Sequence, residues 1–383
     1  MLPVAIIICV LLVLKIERMI YRAQWYKKLS VDIGFEERCV LEREPVRVNV
    51  RVSNQKRLPL PALSLIFSLP QNFRELRSND VNIIDSWRRN ELFALFSGQT
   101  AERTLIFQCE QRGIYRLSEY ALMNRSFFLD ETYEKKYPLD RKLFVYPSAV
   151  NRDRFYRIFQ TLYGSILTND FHYEDVFMLR GIREYQPFDS QKRINWAASA
   201  KLGNLMVNNY EYTTNRKVII FLNLAMDQLA QERTIGEESI RLVKTWCMNL
   251  DASGIQCNIY TNGIDAETGK FVKLETEYLN KKYMEAVNET LTRIVIKDVE
   301  GVFLNHYAEE IEKYCRDYYF LFVSAYQHSD FQQELTEIAA KTKSFSWIIP
   351  VNNNSDFRPV EVLQGHAVAW DVYWRKERGR VSI

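Results

Sequence analysis

Two hydrophobic rhythms run through this chain, and no single sheet satisfies both. At residues 45–53 (PVRVNVRVS), Val46, Val48, Val50 and Val52 alternate with polar side chains, the period of a strand with one buried and one wet face. At residues 217–224 (KVIIFLNL) the apolar run is nearly continuous, which suits a strand covered on both faces and so a parallel sheet between helices. A chain carrying both reads as α+β and multidomain, an antiparallel β-sandwich followed by a doubly wound α/β domain. Its 383 residues leave room for two or three domains.

The remaining punctuation fits that division. Residues 59–70 place Leu63, Leu65, Phe67 and Leu69 on one face of a strand, and 103–109 and 114–123 supply further strands around the Gly113 turn signal. A helix over 151–165 presents Phe155, Ile158, Phe159 and Leu162 at helical spacing. Strand and helix then alternate: a helix over 232–250, with Ile240, Val243, Trp246, Cys247 and Leu250 on one stripe, and a strand over 256–261 closed by a turn at Asn262-Gly263. A strand over 318–324, a helix over 331–342 and a strand over 345–351 complete the pattern. The domain plan is an anchor helix with a basic flank at 1–28, a β-sandwich at 36–148, a linker helix and motif-bearing segment at 149–215, and an α/β domain at 216–383.

Composition narrows the function classes. Lys and Arg total 51 against 48 Asp and Glu, a balance far from the basic stripe of a nucleic-acid binder. The six cysteines, Cys9, Cys39, Cys109, Cys247, Cys257 and Cys315, form no CxxC pair, and the four histidines are dispersed, so structural zinc and dithiol redox chemistry lack their signatures and the thiols read as reduced. Residues 263–270 (GIDAETGK) separate their glycines by five positions, and Phe271 stands where a phosphate loop needs Ser or Thr, so the segment reads as a loop after a strand. No GxGxxG or GxSxG occurs. The expectation is a non-enzymatic chain with no catalytic residues and no cofactor.

The charge that exists is concentrated. Residues 1–14 carry no charged side chain, and Lys15, Arg18, Arg22, Lys27 and Lys28 follow against the single acid Glu17. A membrane span needs about 20 apolar residues, which this run reaches only with Ile16, Met19 and Ile20. Basic residues after the run hold that flank in the cytoplasm. The expectation is a single-pass anchor in the cell membrane with the bulk of the chain cytoplasmic, and Trp25 and Tyr26 at the interface.

A dense polar and aromatic stretch precedes the α/β domain: Arg183, Tyr185, Pro187, Asp189, Arg193, Ile194, Trp196 and Ala200, spaced as R-x-Y-x-P-x-D-x-x-x-R-I-x-W-x-x-x-A. Locally, Pro187 forces an extended approach, Asp189 or Ser190 N-caps a short helix over 191–201 that Gly203 ends, Arg183 pairs with Asp189, and Trp196 anchors the helix to the sheet. On a loop, Arg183, Asp189 and Arg193 are equally suited to meet a partner. This run resembles the signature of the bacterial "domain of unknown function fifty-eight" (DUF58) family, and the resemblance extends to residues 112–115, 58–61 and 217–223.

The resemblance implies an N-terminal membrane anchor, a β-rich domain, a cytoplasmic von Willebrand factor A-like domain, and a MoxR-type AAA+ ATPase as partner, with Arg183, Tyr185, Asp189, Arg193 and Trp196 as the family motif or partner-binding set. Von Willebrand A domains often hold a divalent cation through Asp-x-Ser-x-Ser after the first strand. Here that position reads Asn223-Leu224-Ala225-Met226-Asp227. Hard cations need several oxygen ligands, so Asn223, Ala225 and Asp227 form a degenerate site and no bound metal is expected. A metal-dependent ligand-binding domain and a hydrolase with a non-standard site are the alternatives.

Overall fold

The computed structural model describes all residues except 1, 71, 76–87, 126–131, 169–173, 188, 213–216, 226–231, 277–280, 297–298, 300–302, 316–317, 343, 353–356 and 373–383. It is a mixed α/β structure, mostly strands, in two compact units: Met1–Ser148 with Leu291–Arg293, and Ala149–Thr290 with Ile294–Ile383.

In the first unit, α1 (Leu2–Gln24) precedes β1 (Leu29–Phe35), β2 (Cys39–Leu41), β3 (Pro45–Asn54), β4 (Leu60–Ser68), β5 (Phe73–Glu75), β6 (Arg88–Leu95), β7 (Thr100–Cys109), β8 (Gly113–Arg125) and β9 (Thr132–Tyr146). They make two curled sheets, ordered β1-β3-β7-β5 and β2-β9-β8-β4-β6. Pairing is antiparallel except where the short β2 lies parallel to β9, a departure from the purely antiparallel expectation. The valine rhythm is realised directly. Val46, Val48, Val50 and Val52 are at most 1% exposed, and the last three share a core with Leu63, Leu65, Phe67, Phe93 and Leu95 of the opposite sheet. Each such side chain contributes roughly 1.5–3 kcal/mol by leaving water.

The N-terminal helix forms, with one expectation about it left unsupported and one corrected. Among the described residues no helix is long and apolar enough to cross a membrane, so the expected span is unsupported. Lys15, Glu17 and Arg18 enter the helix just after the apolar run and interrupt it. Trp25 is also not at an interface but, like Tyr21, 3% exposed within the sandwich core. The Tyr21 hydroxyl donates to the Pro59 carbonyl at 2.7 Å, and the Trp25 ring stacks on Tyr133.

The second unit contains α2 (Arg152–Thr168), β10 (Glu174–Glu184), α3 (Trp196–Leu202), β11 (Met206–Tyr212), β12 (Lys217–Asn223), α4 (Glu232–Ala252), β13 (Cys257–Asp265), β14 (Phe271–Leu274), α5 (Tyr283–Arg293), β15 (Ile294–Val295), α6 (Ala308–Tyr314), β16 (Tyr318–Ser324), α7 (Ser329–Lys341), β17 (Phe345–Val351) and β18 (Ala367–Asp371). Its main sheet runs β14-β13-β12-β16-β17-β18, with β13, β12, β16, β17 and β18 parallel and β14 antiparallel at the edge. Taken in chain order, the parallel strands lie 2-1-3-4-5, so the winding reverses between β12 and β16.

The continuous apolar run of β12 is buried on both faces. Ile219 and Phe221 join Phe320, Phe322, Phe345 and Trp347 in one core, while Val218, Ile220 and Leu222 are equally inaccessible between them. The helix over 151–165 is present as α2, and its Phe155 and Phe159 rings pack on Trp246 of α4.

The Asn262-Gly263 turn is corrected: β13 continues through both residues, with a shift in its pairing register to β14 between Tyr260 and Ile264. A Cβ at Gly263 would lie 2.5 Å from Ile294 Cγ2 and 2.9 Å from Leu224 Cδ1, so glycine serves close approach here and not a turn. Residues 265–270 do form the expected loop, in which Asp265 Oδ1 accepts from the backbone N–H of Glu267 and Thr268.

Candidate functional site

Two constellations merit site geometry, both in the second unit. The first is the motif-bearing segment. β10 and β11 pair as a two-stranded antiparallel sheet in which Arg183 opposes Val207 and Glu184 opposes Met206. Beyond β10 the chain turns, with Asp189 N–H donating to the Gln186 carbonyl at 2.8 Å.

The expected charge pair closes this turn. Arg183 Nη1 and Nη2 donate to Asp189 Oδ2 and Oδ1, each at 2.6 Å, and Oδ2 also accepts from Gln186 N–H at 2.8 Å. The Asp189 side chain is 4% exposed and that of Arg183 40%. A two-point guanidinium contact fixes orientation as well as distance. It also holds the Asp189 carboxyl below its ordinary pKa, chiefly through the hydrogen bond from Arg183, with Gln186 N–H and the nearby Arg193 acting in the same direction.

The helix after the turn differs from expectation. Residues 191–193 form a single 3-10 turn, and α3 begins at Trp196, capped by Asn195 and not by Asp189 or Ser190. Asn195 Oδ1 accepts from Ala198 N–H at 2.9 Å, and Gly203 ends the helix at φ +77°. Asn195 Nδ2 also donates to Asn208 Oδ1, while the Ser199 hydroxyl donates to Asn195 O and accepts from Met206 N–H.

These polar bonds fasten α3 to β11, so Trp196 is not the anchor. It is 69% exposed, and Ile182, Leu202 and Leu205 of the same segment are 43%, 62% and 47% exposed. Tyr185 is half-buried, with its N–H donating to the Leu205 carbonyl. The exposed Lys192 and Lys201 flank the apolar positions. The missed sequence signal was the cap itself: Asn195 followed by an alanine-rich helix and Gly203.

The second constellation lies where the winding reverses, at the carboxyl ends of β12 and β16, the place at which open α/β sheets hold ligands. Asn223, Asn262 and Ser324 are each at most 1% exposed. Asn223 Oδ1 accepts from Ala225 N–H at 3.0 Å and from Asn262 Nδ2 at 2.7 Å, while Asn262 Oδ1 accepts from Leu224 N–H at 2.9 Å. The Ser324 hydroxyl exchanges hydrogen bonds with the backbone of Tyr326, and its carbonyl accepts from Trp347 Nε1 at 3.1 Å. Ala225 is 3% exposed and offers no side-chain oxygen, and Asp227 lies outside the described residues.

The described residues of this cluster offer few oxygens to a divalent cation. The one side-chain oxygen at the first position already accepts two N–H bonds, and no carboxylate faces it from Asn262 or Ser324. Among the described residues, no group of three or more His, Cys, Asp or Glu side chains is arranged to hold a metal. The cluster closes the strand ends with its own amides.

No family model and no curated protein matches this chain. Among solved structures it is similar to a non-cellulosomal cohesin from the hyperthermophilic archaeon Archaeoglobus fulgidus, at 13% identity and a TM-score of 0.21, over 29% of this chain and 90% of that one.

Proposed function

We propose that this chain is a membrane-anchored, non-enzymatic adaptor that docks a cytoplasmic protein through residues 182–205. The observation that carries the reading is Trp196: a large aromatic left 69% exposed on a segment whose shape is fixed independently of it, by the Arg183–Asp189 clamp and the Asn195 and Ser199 bonds. Exposed aromatics on rigid supports are the anchors of interfaces.

The family resemblance supplies the partner, a MoxR-type AAA+ ATPase whose nucleotide cycle provides the remodelling energy. It also supplies the reading of the second unit as a von Willebrand A-like domain, which the doubly wound sheet supports. The closed amide cluster at the strand ends gives the metal-dependent alternative no support. For the anchor, exposed Ile6, Ile7, Ile8, Leu12, Val13, Ile16, Met19 and Ile20 give α1 an apolar surface that lipid would cover.

The test is a pull-down of the detergent-solubilised chain with the MoxR-type ATPase in its ATP-bound state. Wild type should retain the ATPase and Trp196→Ala should lose it. Equal retention by both, or none by wild type, overturns the reading.

A further inference from the structure

The sandwich registers bring four chain segments to one end of the first unit. Leu29 pairs with Asn54, Leu60 with Leu95, Ser53 with Thr100, and Arg125 with Thr132. The α1–β1 junction, the β3–β4 loop, the β6–β7 turn and the end of the β8–β9 pair therefore gather at the end where α1 enters. Asn54, fully buried, knits two of them: its Nδ2 donates to the carbonyls of Leu58 and Phe96 at 2.9 and 3.0 Å, and its carbonyl accepts from Gly98 N–H at 2.8 Å. The Tyr21 hydroxyl on Pro59 and the Tyr133 hydroxyl on the Arg18 carbonyl bind α1 to the β3–β4 loop and to β9.

Two properties of this end are unusual for a sandwich rim. Phe96, at the tip of the β6–β7 turn, is 68% exposed although Gly98 at φ +73° and the Gln99 side chain on Phe96 N–H hold the turn in one shape. The exposed charge among the described residues is also mostly basic: Lys27, Lys28, Arg57 and Arg125 lie here, with Lys135 beside Glu134 at the start of β9. Lys135 Nζ stands 3.9 Å over the Tyr26 ring, which keeps one ammonium group at the base of the helix.

Farther from the sandwich than the exposed Lys15, Arg18 and Arg22, the described side chains of α1 from Ile6 to Val13 are exposed and apolar, and Ile16 extends them. At 3.6 residues per turn, Ile6, Ile7, Ile8, Ile16 and Val13 fall at roughly 0°, 100°, 200°, 280° and 340° around the axis. A helix apolar all round calls for apolar cover all round, not one docked face. Basic loops and an exposed aromatic ring at the foot of such a helix match the headgroup region of an anionic leaflet.

We propose that the loop end of the sandwich is itself a lipid-contacting surface, with Lys27, Lys28, Arg57 and Arg125 on the headgroups of an anionic phospholipid leaflet and Phe96 inserted among them. The helix and the sandwich then hold the membrane together, and the domain stands on the leaflet in a fixed orientation. This rests on the anchor reading above and is separable from it.

The full chain is floated with vesicles of phosphatidylcholine alone or with about one third phosphatidylglycerol, at about 0.1 M salt. Wild type should bind both, and more tightly where phosphatidylglycerol is present. Replacing Lys27, Lys28, Arg57 and Arg125 by Gln should erase most of that gain, roughly fivefold for each residue, and leave binding to phosphatidylcholine unchanged. Lys192→Gln with Lys201→Gln, in the second unit, should change neither. Phe96→Ser should weaken binding to both compositions several-fold at an unchanged melting temperature. A salt titration of the wild type gives the same answer without a variant, because raising salt to about 1 M should remove the phosphatidylglycerol gain. A gain that survives both the four substitutions and high salt overturns the headgroup surface and leaves the anchor standing. Failure to float with either composition overturns the anchor and the surface with it.

Discussion

The strand-end cluster and the motif segment are made of the same kinds of group and use them in opposite ways. At the end of β12 and within β13, two amide side chains bond each other and nearby backbone N–H groups, and Asn223, Leu224, Ala225 and Asn262 are all buried. In the segment after β10, a carboxylate and a guanidinium also close on each other, but their closure leaves Trp196, Leu202 and Leu205 facing water. The first arrangement consumes its polar groups at a strand end, where open α/β sheets in general bind ligands. The second uses them to hold an apolar surface open. A polar cluster therefore marks a site only when something beside it remains unmatched, and here that is the exposed tryptophan.

The largest expected effect breaks the sealed member of the pair. Asn262→Ala removes one of the two donors to Asn223 Oδ1 and the acceptor for Leu224 N–H, leaving the buried Leu224 N–H unmatched at a cost of about 2 kcal/mol or more. Denaturant unfolding should show that loss, and partner capture by the folded fraction should be unchanged. Asn223→Asp sharpens the same point, since a buried carboxylate in this pocket should lower stability by roughly 2–3 kcal/mol at neutral pH. Millimolar Mg²⁺ should not restore the melting temperature. Restoration would show that one carboxylate suffices to turn the seal into a cation site.

Next in size is the open member. Trp196→Ala should weaken ATPase binding by about 2 kcal/mol or more, near 30-fold, as truncation of an interface anchor does, while the melting temperature stays within roughly 0.5 kcal/mol of wild type, as for a surface position. Calorimetric titration beside a thermal melt separates the two. A large drop in stability without a change in affinity would mean that Trp196 packs where the structure leaves it exposed.

The two regions were not equally legible in the sequence. Strands whose side chains report burial directly, alternating in β3 and continuous in β12, could be read from periodicity alone. So could the Arg183–Asp189 pair, because a turn between opposite charges six residues apart brings them together. Trp196 misled because size and hydrophobicity argue for burial, whereas its exposure is set by where α3 starts, and that depends on the Asn195 cap and the Ser199 bond to a strand seven residues on. Gly263 misled in the opposite sense: Asn-Gly is a strong turn signal, but the glycine is required by Ile294 and Leu224, which are distant in sequence. The basic rim around Phe96 was invisible for the same reason, since it is assembled by strand register from four separate segments.

The smallest effect concerns the clamp that separates the two designs. Because Arg183 depresses the Asp189 pKa, the carboxylate form is favoured in the folded segment. For a carboxyl with a lowered folded pKa, the linked stability is fully present above the unfolded value of about 3.9 and is lost as pH falls through the lower folded value. Hydrogen exchange over residues 185–205 should therefore remain protected at pH 4 and rise only below it, while the sealed amides at β12 and β13, which do not titrate, keep their protection over the same range. Asp189→Asn should raise exchange in that segment at every pH and abolish the acid transition, with little change in the global melting temperature, because Arg183 is 40% exposed and water can replace its partner. If the Asn variant kept both the protection and the ATPase affinity of wild type, the ion pair would be an ornament of the turn, and the segment's shape would rest on the Asn195 and Ser199 bonds alone.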